Sequence, residues 1–188
     1  MKINIPKKLN TLTMANMDPK HFIKTVLVDE LGQLIPTHPY ISFVMMGIGI
    51  EFLGKCLDSA HSDWNEPNRS AVNFKDAILK IPSLQRYGTY LVSHKLYSSF
   101  RCGLAHAVSP KLQVTLSSKN EMGHLVEHGS RINLKAEDFY ADFKAACEYI
   151  ISLNFPSGDK MNRAFLQVPG PWFNAGTDVK NGKTSSLA

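Results

Sequence analysis

The sequence predicts a mainly α-helical protein, an up-and-down bundle of about five helices with a small antiparallel β insertion before the last. Two changes of pattern predict it. Apolar residues recur at three-to-four spacing from Phe22 onward and again from Phe139 to Ile151, the period of helices with one buried face. Between these stretches the period drops to two: Leu112, Val114 and Leu116 alternate with polar residues, as do Ile132 and Leu134. With 188 residues, 44% of them hydrophobic, the chain can bury one real core, so one domain is expected.

Residues 1–17 mix lysine, asparagine and threonine and read as a flexible strip. Asp18-Pro19 then has the form of an N-cap followed by proline in the first turn, and opens a helical domain over 18–155. Its first helix carries Phe22, Ile23, Val26, Leu27, Leu31 and Leu34 on one face and stops at Pro36 and Pro39. The second runs from about Tyr40 to His61. It is apolar nearly all round, which places it centrally, and Gly47, Gly49 and Gly54 let a neighbouring helix come close. A polar loop with Pro67 follows. A short third helix spans Ser70 to Ile81, ended by Pro82. A long fourth helix is expected from Leu84 to Ala107, ended by Ser109-Pro110. The β element covers 111–134, with turns at Lys119-Asn120 and Gly129. The last helix spans Ala136 to Leu153, with Phe139, Phe143, Ala146, Cys147, Ile150 and Ile151 inward. Beyond Pro156 the periodicity fades, and 156–188 read as an irregular tail in which Trp172 and Phe173 are the large groups able to dock.

Composition narrows the function classes. The net charge of +5 suits an anionic partner such as nucleic acid without requiring one. Three cysteines, Cys56, Cys102 and Cys147, with no C-x-x-C pair, argue against a disulfide framework and for a reducing compartment. The segment MKINIPKKLN lacks the apolar core of a signal peptide, and the longest apolar run, Phe43 to Ile50, is short of the roughly 20 residues of a membrane helix. A cytoplasmic protein with no membrane association is expected. No Gly-rich phosphate loop or zinc-finger spacing occurs, and no cofactor is expected.

The stretch YSSFRCGLAHAVSP, residues 97–110, carries the chemistry. Arg101 and His106 stand five apart near a helix end, and both can flank one groove if the helix tightens or ends between them. Gly103 leaves room in that gap. The pair suits RNA phosphodiester cleavage: a guanidinium holds two phosphate oxygens and stays charged, and an imidazole moves a proton near neutral pH. The structural alternative is an Arg101 paired with an acid of the bundle and a His106 at a helix C-terminus, where cations are favoured.

The segments GIGIEFLGKCL (47–57) and LYSSFRCGLAH (96–106), set on two helices of an all-α body, resemble the HEPN superfamily over about residues 18–153. Members are small helical bundles, often dimeric, and many are metal-independent ribonucleases of toxin–antitoxin, phage-defence and RNA-processing systems. Their mark is an arginine, four to six residues, then a histidine, positions that Arg101 and His106 fill. The resemblance implies an endoribonuclease acting on RNA, a homodimer, and a cognate antitoxin or other partner protein. The superfamily also contains inactive, binding-only members, and Cys102 stands where its active members usually carry a polar residue. The helix arrangement further implies that Glu51, an acid among apolar neighbours, meets Arg101, either to orient it or as a structural ion pair.

Three other groups could support the site. His94, seven residues before Arg101, either lines the groove or sits on a half-exposed face. Cys102 is a nucleophile or a small core residue. His124 and His128 share one strand face, with Glu127 between them, but no third ligand has fitting spacing for a metal.

Overall fold

The computed structural model describes residues 14–64 and 66–169. Among these the chain forms seven α-helices and five short strands. The protein is mainly helical, with one small three-stranded sheet. Strand β1 (Met14–Met17) leads into α1 (Pro19–Phe22). Asp18 caps that helix, its Oδ1 accepting from His21 N at 2.8 Å, with Pro19 at the first position. The run continues as a π-helical stretch, Ile23–Glu30, and closes as α2 (Leu31–Leu34). Ile23, Leu27, Val28, Leu31 and Ile35 are buried along it. The Tyr140 hydroxyl donates to Val28 O at 2.6 Å.

Helix α3 (Pro39–Leu57) is the axis of the fold and packs on α4 (Ser70–Lys80), on the last helix and on the motif helix. By length and composition it could cross a membrane, a property the apolar-run count missed because Ser42 and Glu51 bound the run at either end. Yet 56% of the stretch is buried inside the protein. It stops at Leu57, four residues short of the expected end. There Lys160 reaches in, its Nζ donating to Asp58 O and to His61 O, each at 2.8 Å. Gly54 faces the α4 backbone so closely that a Cβ would lie 1.8 Å from Asn73 O. The α3–α4 spacing thus depends on that glycine.

The expected fourth helix is broken. Pro82–Tyr87 is a 3₁₀ turn, α5 covers only Tyr90–Ser93, and Lys95 turns to φ +47°. The chain then resumes as a π-helical turn, Tyr97–Arg101, and α6 (Cys102–Ala107). Tyr87 and Phe100 both pack edge-on against Phe139, at 5.2 and 5.3 Å between ring centroids. Leu96 follows Tyr87 by nine residues, about half a turn out of phase on a straight helix at roughly 100° per residue. One helix cannot send both groups to the same core, so the chain breaks and re-aims.

Strands β2 (Val114–Ser117), β3 (Glu127–His128) and β4 (Arg131–Lys135) form a sheet in the order β2-β4-β3. The expected antiparallel element is only half antiparallel. β3 pairs with β4 that way, through a turn at Gly129 (φ +59°), but β2 runs parallel to β4, with Val114 opposite Ile132. The reason lies in the loop between. Asn133 Nδ2 donates to Gly123 O at 2.9 Å and to Ser117 Oγ at 2.7 Å, drawing residues 118–126 across the sheet so that β4 re-enters in the direction of β2. β4 passes directly into α7 (Ala136–Ser152), which buries Phe139, Phe143, Ala146, Cys147 and Ile150.

Segments near the two ends pair, which the composition did not suggest. β1 pairs antiparallel with β5 (Leu166–Pro169), Met17 opposite Leu166, so part of the expected flexible strip and part of the expected irregular tail form one ribbon. A 3₁₀ turn at Lys160–Asn162 precedes it. Phe165 docks among Phe22, Phe52 and Trp64, 4.9 Å from the last. Trp172 and Phe173 lie outside the described residues.

Candidate active site

Arg101 closes the π-helical turn, and His106 lies one residue before the end of α6. The wider turn advances the chain less per residue than an α-helix, and such turns are common at functional sites. Segment 109–111 folds back over α6. Lys111 N donates to Ser99 O at 2.8 Å, and a Cβ on Gly103 would lie 2.7 Å from Ser109 O. Gly103 therefore seats the returning chain, rather than leaving space for a ligand backbone.

Glu51 on α3 is buried at 4% exposure, and its carboxylate is the hub of the site. Arg101 Nη2 lies 2.5 Å from Oε2, and Ser70 Oγ donates to Oε1 at 2.9 Å. Lys55 Nζ stands 3.5 Å from Oε1. Two cations and a hydroxyl thus compensate one buried charge. The Arg101–Glu51 contact is single-pronged: Arg101 Nε makes no hydrogen bond among the described residues. Nη1 instead faces His106 Nε2 at 3.5 Å, a long contact. A guanidinium only donates, so a hydrogen bond here requires the imidazole to accept at Nε2. His106 is exposed, whereas the Arg101 side chain is only 14% exposed. The arrangement sets a fixed, largely buried cation beside an exposed imidazole.

Tyr97 completes the site. Its ring lies 6.0 Å from the Arg101 guanidinium carbon, and its phenol neighbours the Cys102 thiol. Burial pushes the phenol pKa up, the Cys102 contact adds to this, and Arg101 opposes it, so the phenol stays protonated at neutral pH. Cys102 is free and half-buried, so it is not a core residue. Three groups of the site went unread in the sequence. Lys55 follows Glu51 by four residues, and Tyr97 precedes Arg101 by four, the spacing of neighbours on one helix face. Ser70 had no signal, because it comes from the start of the next helix across a loop.

His94 does not join the site. It is buried at the break after α5, its Nδ1 2.9 Å from Ser93 Oγ and its ring 5.3 Å from Tyr90, and among the described residues it makes no hydrogen bond to Arg101. This corrects both the groove-lining and the half-exposed expectation: its ring fills the space left where the helix ends. His124 and His128 also part company. His124 Nδ1 accepts from Lys135 N at 3.0 Å and its Nε2 meets the Tyr87 hydroxyl at 2.8 Å, while His128 is exposed on β3. Among the described residues no three His, Cys, Asp or Glu side chains gather as a metal site.

Compared with family models, curated proteins and solved structures, the chain has no significant match in any of the three.

Proposed function

We propose that the protein is a metal-independent endoribonuclease of the HEPN type, a HEPN-like helical bundle in which Arg101 and His106 act on an RNA phosphodiester. The observation that carries the reading is the 3.5 Å approach of Arg101 Nη1 to Nε2 of His106, with Glu51 anchoring the guanidinium. In this reading the guanidinium binds the phosphate and stabilises its developing charge. The imidazole takes the proton of the ribose 2′-hydroxyl, whose oxygen then attacks the adjacent phosphorus. The P–O5′ bond breaks, leaving a 2′,3′-cyclic phosphate and a 5′-hydroxyl that takes up a proton. The reading includes a homodimer packed around the motif. Ile41 and Ile48 on α3, at 51% and 41% exposure, leave an apolar stripe that supports it.

A second reading, a HEPN-like protein that binds RNA or a partner protein such as an antitoxin without cutting, is favoured by one observation. Where active members carry a polar group, this chain has Cys102, a free, half-buried thiol beside Tyr97. Incubation of the purified protein with total RNA in EDTA, beside His106→Ala, separates the two. Fragments ending in 2′,3′-cyclic phosphate with the wild type alone support the nuclease. RNA left intact yet retarded in a gel supports the binding protein.

A further inference from the structure

We infer that the groove beside the motif is a binding track for a single nucleic-acid strand, with Lys111 and Arg131 holding phosphates and Tyr40 presenting its ring to a base. The groove has a volume of about 390 Å³ and runs between the start of α3, the segment after α6 and the sheet. Such a size suits a small ligand or one unit of a polymer. Its wall begins at Ser109, three residues past His106, where Val108 turns the chain at φ +52°. The strand leaving the candidate active site therefore meets this groove next.

Charge selects the occupant. Lys111 on one side and Arg131 on the other are exposed, and among the described residues neither side chain makes an ion pair or hydrogen bond. No acid lines the groove. Two free cations facing one channel attract an anion with regularly spaced charges. Ser109 and Thr115 add hydroxyls, while Tyr40 and Leu112 add exposed apolar surface, at 41% and 74% exposure. This mixture of cations, hydroxyls and an aromatic ring is what unpaired, stackable bases on a phosphate backbone require. Tyr40 is pre-positioned: its hydroxyl donates to Val108 O at 2.5 Å, which ties the ring to the turn that leaves the motif. A further hollow of about 100 Å³ lies against Tyr40 and Leu116 and ends at Glu121, giving a base edge somewhere to enter and an acceptor to meet. The choice of RNA over DNA rests on the ribonuclease reading; the track itself does not.

The test is fluorescence anisotropy with a labelled single strand of about 12 nucleotides, within the usual span of such sites. The DNA form is used with the wild type, and the RNA form with His106→Ala so that it stays whole. Lys111→Gln with Arg131→Gln should weaken binding roughly ten-fold at low salt and flatten the log–log salt slope by about 1.4, or about 0.7 for each lost phosphate contact. Its melting temperature should not move, because neither side chain has a partner to lose. Tyr40→Ala should weaken binding roughly five-fold or more. Binding and salt slope unchanged in the double variant would overturn the track, as would a polyglutamate peptide that binds the groove where the oligonucleotides do not. The two proposals fail separately. A wild type that binds both strands through Lys111 and Arg131 but cuts nothing removes the nuclease alone. Cutting with an unchanged KM in the double variant removes the track alone.

Discussion

Glu51 Oε2 and Arg101 Nη2 lie 2.5 Å apart, joining the central helix to the helix that carries the candidate catalytic pair. The contact serves both the fold and the proposed chemistry, because the carboxylate that compensates the buried guanidinium also aims it. Removing one partner of a buried ion pair typically costs about 3–5 kcal/mol. Lys55, 3.5 Å from the same carboxylate, would then face a neutral amide beside a second cation. Glu51→Gln is therefore expected to lower the melting temperature by several degrees, measured by calorimetry at neutral pH. A variant that melts with the wild type would remove the anchoring role.

Arg101→Lys separates chemistry from folding. Lysine keeps a positive charge near Glu51 but loses the planar fork that faces His106. Loss of one donor to a transition-state oxyanion typically lowers the rate about 10²–10³-fold. Cleavage should fall by that order while the melting temperature falls less than in Glu51→Gln. Equal cleavage rates for lysine and arginine would show that the guanidinium does not act on the phosphate.

A second polar network predicts a pH dependence. The Tyr87 hydroxyl donates to Asp142 Oδ2 at 2.6 Å and stands 2.8 Å from His124 Nε2, while Arg86 Nε meets the same Asp142 oxygen at 2.9 Å. Because His124 Nδ1 accepts from Lys135 N, this imidazole is neutral and carries its proton on Nε2. Burial, helped by Arg86, pushes its pKa from 6.5 down to about 4. The unfolded chain thus binds a proton that the native state refuses. This contribution to stability is complete above pH 6.5 and is lost as pH falls from there towards 4. Denaturant midpoints recorded across that window should decline in the wild type and flatten in His124→Asn. Asp58 titrates lower: burial raises its pKa, but hydrogen bonds from His61 and Arg69 outweigh that and hold it below 3.8, outside the window.

Lys160 ties the closing ribbon to the end of α3. Its Nζ donates to two backbone carbonyls and lies 5.3 Å from the centre of the Trp64 ring. Lys160→Met keeps the length but leaves both carbonyls without that donor, at a cost of about 1–3 kcal/mol for each that water does not reach. A lower melting temperature and faster proteolysis in the 58–69 loop are expected. A protease pattern identical to the wild type would show that the ribbon is held by Phe165 and its aromatic neighbours alone.

Local signals were enough for several elements. The Asp18-Pro19 cap, the helix from Ser70 and the helix from Ala136 follow from chain-local caps, prolines and apolar spacing, and the structure forms them within a few residues of the expected bounds. The Arg101-x-x-x-x-His106 pattern and the lone acid in MMGIGIEFLG were likewise visible, because both are written in short stretches. What sequence alone could not supply was competition between distant groups for one space. Tyr87 and Phe100 both claim Phe139, so an apparently continuous helix breaks at His94 and Lys95. Asn133 draws a loop across the sheet and turns β2 parallel to β4. Ser70 reaches Glu51 only after α4 folds back on α3, and Met14–Met17 becomes a strand only because Leu166–Pro169 arrives beside it. A periodic face tells a segment what it must bury, but the partner that buries it is chosen in three dimensions, where residues far apart in sequence must share one core.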